Sequence, residues 1–121
     1  MQQARTAEVP RAQALVDELN RRWRGQEVYD AGPVIIDEIT LISPPSAWPP
    51  CLRIEFTVGG RPGVWEDEFD LGYLINYGPV SYAADGFARI AWTEFLEMMD
   101  TGSRPEGLRM LDGRPPRPER R

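Results

Sequence analysis

Four carboxylates lie close together in the stretch "GVWEDEFDL", residues 63–71. They belong to Glu66, Asp67, Glu68 and Asp70. Carboxylates at this density can bind a divalent cation, act as a general acid and base, or attract a basic partner. Which of these chemistries applies depends on the other groups in the chain and on the elements that position the carboxylates.

The composition excludes several classes of chemistry. The chain of 121 residues has no histidine and no lysine, and its one cysteine is Cys51. It cannot supply a Ser-His or Cys-His pair, a zinc site built from several cysteines or histidines, or a Schiff base. We therefore expect a protein that is not an enzyme and that holds no metal ion or cofactor.

The net charge of −5 is distributed unevenly along the chain. Residues 1–26 hold five arginines and three acids (+2), residues 27–100 hold three arginines and thirteen acids (−10), and residues 101–121 hold six arginines and three acids (+3). Proteins bind a phosphate backbone mainly through Lys and Arg. The acidic body argues against a nucleic-acid partner and predicts a basic protein surface as the partner.

Two segments have apolar residues at helical spacing. The first covers residues 9–24 and ends before Gly25, and the second covers residues 82–100, with Ser81 as the expected N-cap and Gly102 as its end. The helical residues that we expect in the core are Leu15, Leu19, Trp23, Phe87, Ala91 and Phe95.

Residues 33–43 and 51–58 have the composition of β-strands. In the first, the apolar phase slips at Asp37-Glu38, which indicates either a bulge or a strand covered on both faces. The second alternates regularly and directs Leu52, Ile54, Phe56 and Val58 inward.

Residues 64–71 are predicted to form a third strand. Its two faces separate the carboxylates: Glu66, Glu68 and Asp70 lie on the outer face, and Asp67 lies on the inner one with Phe69, another expected core residue. Burial among aromatic rings can keep a carboxyl group protonated, as a general acid requires. We favour the simpler interpretation that Asp67 ends the sheet and binds a backbone N–H or an arginine.

The element order predicts one α+β domain, α-β-β-β-α, over residues 9–102. The simplest arrangement is a three-stranded antiparallel meander with both helices packed on one face. Residues 1–8 are expected to be a flexible N-terminus, and residues 103–121 a Pro/Arg-rich, largely disordered tail. The order is similar to that of the double-stranded RNA-binding domain. That family has a basic cluster at the start of its second helix. The corresponding stretch here, "SYAAD", contains no cation, so we transfer no RNA binding.

The leading functional hypothesis is a small acidic protein-binding module, such as an inhibitor, an immunity-type protein or an assembly protein. It would bind a basic partner through the outer sheet face and the aromatic loop 72–82. The residues predicted to contact the partner are Glu55, Glu66, Glu68, Asp70, Tyr73 and Tyr77.

Two alternatives belong to other classes. An enzyme would use Asp67 with Glu55 or Glu66 as acid and base. A self-assembling structural protein, such as a homodimer with a twofold axis, would explain an apolar second face on the first strand. The N-terminal residues lack the apolar core of a secretory signal, and no segment has the roughly 18–20 apolar residues of a membrane helix. We therefore expect a cytoplasmic protein without a membrane partner.

Overall fold

A computed structural model of the chain describes residues 8–28, 34–42, 51–76 and 78–114. Within these ranges the four strands form one antiparallel sheet in the order β1-β2-β3-β4, which confirms the α+β class. The elements in chain order are α1 (Glu8–Trp23), β1 (Val34–Leu41), β2 (Leu52–Val58), β3 (Arg61–Asp67), α2 (Leu71–Leu74), α3 (Val80–Thr101) and β4 (Leu108–Met110).

The arrangement differs in detail from the predicted three strands and two helices. β4 lies in the segment predicted to be a disordered tail, and it is too short for its alternation to be informative. β3 ends at Asp67 because the chain turns at Phe69 and Asp70, whose φ angles of 52° and 55° are left-handed. The turn leads into α2, a single turn of helix that the sequence did not predict. Ser81 lies inside α3 and is not its N-cap, which is Pro79.

A bulge explains the phase slip in β1. The pairing of β1 with β2 shifts between Ile36 and Glu38, which leaves Asp37 as the extra residue. Beyond the bulge, Ile39 pairs with Ile54, so the apolar side chains on both sides of Asp37 share one face. The bulge prediction is confirmed, and the slip requires no second apolar face on β1.

The apolar face of the sheet packs against α3 through aromatic rings. Phe95 contacts both Phe56 and Trp65, with ring centroids 4.9 and 5.2 Å apart. Gly63 lies opposite Phe56 on β3, and a Cβ atom there would come within 2.5 Å of the Phe56 ring. A side chain at position 63 would therefore displace the ring that joins sheet and helix. Every apolar residue predicted to face the core is buried except Trp23, which is partly buried against the same core.

The outer edge of β1 is protected by hydrogen bonds from the segment containing α1. The Asn20 side chain accepts a hydrogen bond from the Ile39 N–H (2.9 Å) and donates one to the Ile39 carbonyl (2.8 Å). Further along the edge, the N–H of Val28 donates to the carbonyl of Val34 (3.0 Å). Asn20 thus provides the donor and the acceptor that a neighbouring strand would otherwise supply.

Gly63→Ala should destabilise the fold by about 1–3 kcal/mol, because the new methyl group overlaps the Phe56 ring. In a Phe56→Leu background the same substitution should cost less, since the ring is gone. Urea unfolding of the two single variants and the double variant measures this coupling. A coupling energy near zero would show that the two positions do not meet.

Asn20→Ala should cost about 1–3 kcal/mol of unfolding free energy, because the Ile39 N–H and carbonyl lose their partner. Gln13→Ala is the matched control: Gln13 lies on the same helix and donates to Asp17 on the exposed surface. We expect the control to change stability by less than about 0.5 kcal/mol. Equal losses in thermal or urea unfolding would contradict the role assigned to Asn20.

Candidate functional site

The sheet face opposite α3 is polar, and we call it the open face. The strand registers place on it Ile35, Glu38, Thr40, Arg53, Glu55, Thr57, Pro62, Val64, Glu66 and Arg109. All of them are exposed or half-buried except Val64, which is buried beside Glu55 and Arg109 although it is not part of the core. The open face therefore carries charges of both signs.

Glu66 has its counter-charge within the sheet. The Arg53 Nε atom donates to a Glu66 carboxylate oxygen at 2.6 Å, between directly paired positions on β2 and β3. Side-chain exposures of 39% and 28% leave this pair in contact with solvent, so it contributes little to stability. It does neutralise Glu66, which weakens Glu66 as a contact for an external cation.

Glu55 has no such partner. Its side chain makes no hydrogen bond or ion pair to the residues that the structure describes, and it lies directly opposite Glu38 on β1. Like charges at facing positions of two strands destabilise a sheet. The basic group beside them is Arg24, which approaches Glu38 at 3.9 Å between exposed side chains. We refer to Glu38 and Glu55 as the acidic pair.

Asp37 adds a third carboxylate beside the acidic pair. As the bulged residue of β1 it lies outside the regular register, and its Oδ2 atom accepts a hydrogen bond from the Thr57 hydroxyl at 2.7 Å. Because Thr57 belongs to the open face, this bond holds the carboxylate of Asp37 on that face.

Glu68 and Asp70 do not belong to the open face, so the predicted row of three carboxylates on one strand is wrong. Both follow the end of β3 and are exposed, and Asp70 is the N-cap residue of α2. Phe69 between them is buried, with its ring 4.7 Å from that of Trp65 and 5.1 Å from that of Phe87. This packing holds the unusual left-handed backbone of Phe69 in place and turns the chain away from the strand.

Asp67 lies at the end of β3, as the simpler interpretation predicted. It is exposed, and its carboxylate accepts a hydrogen bond from the Phe69 N–H at 3.3 Å. The register places Asp67 on the side of Trp65, whereas Glu55 and Glu66 lie on the open face. The acid and base of the enzyme alternative are therefore not brought together.

Two of the three loop tyrosines are prominent on the surface. Tyr73 of α2 is 63% exposed and Tyr82 of α3 is 64% exposed. Both are large apolar side chains of the kind that anchors protein partners. Tyr77, the other predicted contact, lies outside the described residues.

The arginines at the end of α1 already have partners. Arg22 donates to Glu18 and also to Asp85 of α3, both at 2.7 Å. Hydrogen bonds from Arg21 and Arg22 lower the pKa of Glu18 to about 2. This cluster joins the two helices, and it is not a free basic patch for a nucleic acid.

One small cleft is described, and it lies away from the carboxylates of the open face. A cleft of about 20 Å³, enough for about one water molecule, lies between α1 and the start of α3. Arg11 at its rim donates to the Ile75 carbonyl at 3.1 Å. Among the residues with described positions, no group of three His, Cys, Asp or Glu side chains could hold a metal ion.

Comparisons with models of known families, with curated proteins and with solved structures gave no match. In the ranges that the structure describes, no helix is long and apolar enough to cross a membrane.

Sequence reasoning identified Glu55 but missed Glu38, its neighbour across the strands. Alternation alone assigns a residue to a face but does not say which residue lies opposite it on the next strand. If Asp37 is taken as the bulged residue and one residue pair between β1 and β2 is known, the register places Glu38 opposite Glu55.

Removal of divalent ions should leave stability unchanged. The thermal midpoint in excess EDTA should match that in millimolar Ca²⁺, Mg²⁺ or Mn²⁺, because no three ligand side chains are arranged to hold a cation among the residues that the structure describes. A native-state cation at about 100 times its Kd would add about 2.7 kcal/mol to the unfolding free energy. A metal-dependent rise of several degrees in a thermal melt would contradict this expectation.

Proposed function

We propose that this protein is a non-enzymatic binding module whose open face binds a basic surface of another protein. The observation that carries the proposal is the acidic pair, in which Glu55 faces Glu38 and has no counter-charge of its own in the described structure. An arginine from a partner would remove this repulsion and could bind both carboxylates through its planar fork of donors.

The charge of the surrounding chain supports the same assignment. Residues 27–100 carry thirteen acids against three arginines, and Arg53, one of the three, is committed to Glu66. Such a field attracts a basic partner from a distance and raises the association rate more than the final affinity. Arg109, which lies on β4 at the other side of the open face, would contact the edge of the partner and help to orient it.

The turn at the end of β3 is a second contact region in this proposal. Glu68 and Asp70 are exposed there, and Tyr73 follows on α2. Exposed aromatic side chains next to carboxylates suit a partner that presents arginines, since guanidinium groups stack on aromatic rings. This region is separate from the acidic pair, so its contribution can be measured independently.

The two alternative functions receive no support of this kind. The acid and base of the enzyme alternative lie on opposite sides of the sheet, and the cleft that is described does not include Asp67. The homodimer hypothesis drew on the phase slip of β1, which the bulge at Asp37 explains. An acidic module remains the function that the geometry supports best.

An octaarginine peptide can stand in for the basic surface in a kinetic test. Replacing Glu38 and Glu55 by glutamine should slow its association severalfold and change its dissociation less, because exposed charges act mainly through steering. The free protein should gain about 0.2–1 kcal/mol, as the like-charge pair is removed. Stopped-flow or surface-plasmon kinetics and urea unfolding supply the two readouts.

Replacing Glu94 and Glu97 of α3 by glutamine provides the matched control. Both are exposed, and the variant loses the same net charge at a different surface. Replacing Glu68 and Asp70 by their amides tests the turn region in the same way. If the α3 control slows association as much as the open-face variant, binding follows net charge alone and the assignment to the open face is wrong.

A further inference from the structure

The chain leaves the described residues at a point that is fixed to the sheet. The guanidinium group of Arg61 donates to both carboxylate oxygens of Asp112, at 2.7 and 3.0 Å, and to the carbonyl of Arg114 at 2.8 Å. The Leu111 N–H donates to the Pro62 carbonyl at 2.9 Å. The bond from Arg61 holds the pKa of Asp112 far below its usual range, so the anchor stays charged at neutral pH.

Residues 115–121 are long enough to reach the acidic pair from this anchor. Arg61 is paired with Val58, and Glu55 lies three residues further along β2. Asp112 continues the register of β4 opposite Arg61, and β4 lies on the side of β3 away from β2. At about 3.3 Å per residue and about 4.8 Å between strands, Asp112 and Glu55 are therefore roughly 14 Å apart. Seven residues of an extended, proline-rich chain span about 22 Å. Arg61 is paired with the buried Val58 and so belongs to the opposite face, and the difference in length is what is available for reaching the open face.

The charge of this segment complements the open face. Residues 115–121, "PPRPERR", contain three arginines and one glutamate. Its three prolines reduce the conformational entropy that binding must remove. A second copy of the protein is a poorer occupant, because two open faces would bring their acidic pairs together.

We propose that residues 115–121 of this chain occupy the open face at Glu38 and Glu55 and compete there with the basic partner. The competition with a partner rests on the proposed function, whereas the contact within the chain can be measured without a partner. Arg117, Arg120 and Arg121 supply the guanidinium groups, and the Arg61–Asp112 anchor keeps their local concentration high.

The contact can be measured by NMR of the side-chain carboxyl carbons. The full chain is compared with a chain ending at Arg114 and with a full-length variant in which Arg117, Arg120 and Arg121 are replaced by glutamine. Both changes should shift the carboxyl signals of the acidic pair in the same direction. The signals of Glu94 and Glu97 on α3 should not move.

The same proteins are then titrated with octaarginine at low ionic strength. The chain ending at Arg114 should bind the peptide severalfold more tightly than the full chain. The difference should disappear at about 1 M salt, where the screening length is about 3 Å. The glutamine variant of the tail should behave like the truncated chain.

The outcomes separate this inference from the proposed function. If truncation leaves the carboxyl signals of Glu38 and Glu55 unchanged, the segment does not occupy the open face and the inference is wrong. The proposed function still stands in that case if octaarginine shifts both signals in the truncated chain. If truncation leaves both signals unchanged and octaarginine also shifts neither of them in the truncated chain, both proposals fail. A loss of peptide binding on truncation would make the tail itself the contact and would also overturn the inference.

Discussion

The contact of Phe95 with Phe56 and Trp65 is the interaction on which the rest of the structure depends. It commits the large apolar side chains of β2 and β3 to one face of the sheet, where α3 covers them. Gly63 makes it possible, because any side chain there would meet the Phe56 ring. With the apolar area on one side, the opposite side chains are left to solvent and to charge.

The electrostatics of the open face follow from register. Arg53 and Glu66 face each other and neutralise one another, whereas Glu38 and Glu55 face each other and repel. The bulge at Asp37 sets this pairing, because in a regular β1 strand Asp37 would lie opposite Glu55 in place of Glu38. Arg24 approaches only Glu38, and we propose that a basic partner supplies the counter-charge for the pair.

The helices, the alternation of β2 and most of the core could be predicted because each depends on local spacing. β4 could not, since a strand of three residues carries too little periodicity and is defined by its pairing with Gly63 and Trp65. The end of β3 could not either, because the left-handed backbone at Phe69 and Asp70 is held by tertiary packing. For this reason the sequence pattern places Glu68 and Asp70 on the outer sheet face, whereas in the structure both lie beyond the end of β3.

Carboxyl footprinting measures directly whether a basic peptide binds at the open face. A carbodiimide and an amine label exposed carboxylates, and mass spectrometry measures the labelling of each one with and without octaarginine. We expect the peptide to protect Glu38 and Glu55 strongly, while Glu94 and Glu97 on α3 keep their reactivity. Equal protection at all four positions, or protection confined to α3, would contradict the assignment of the binding site to the open face.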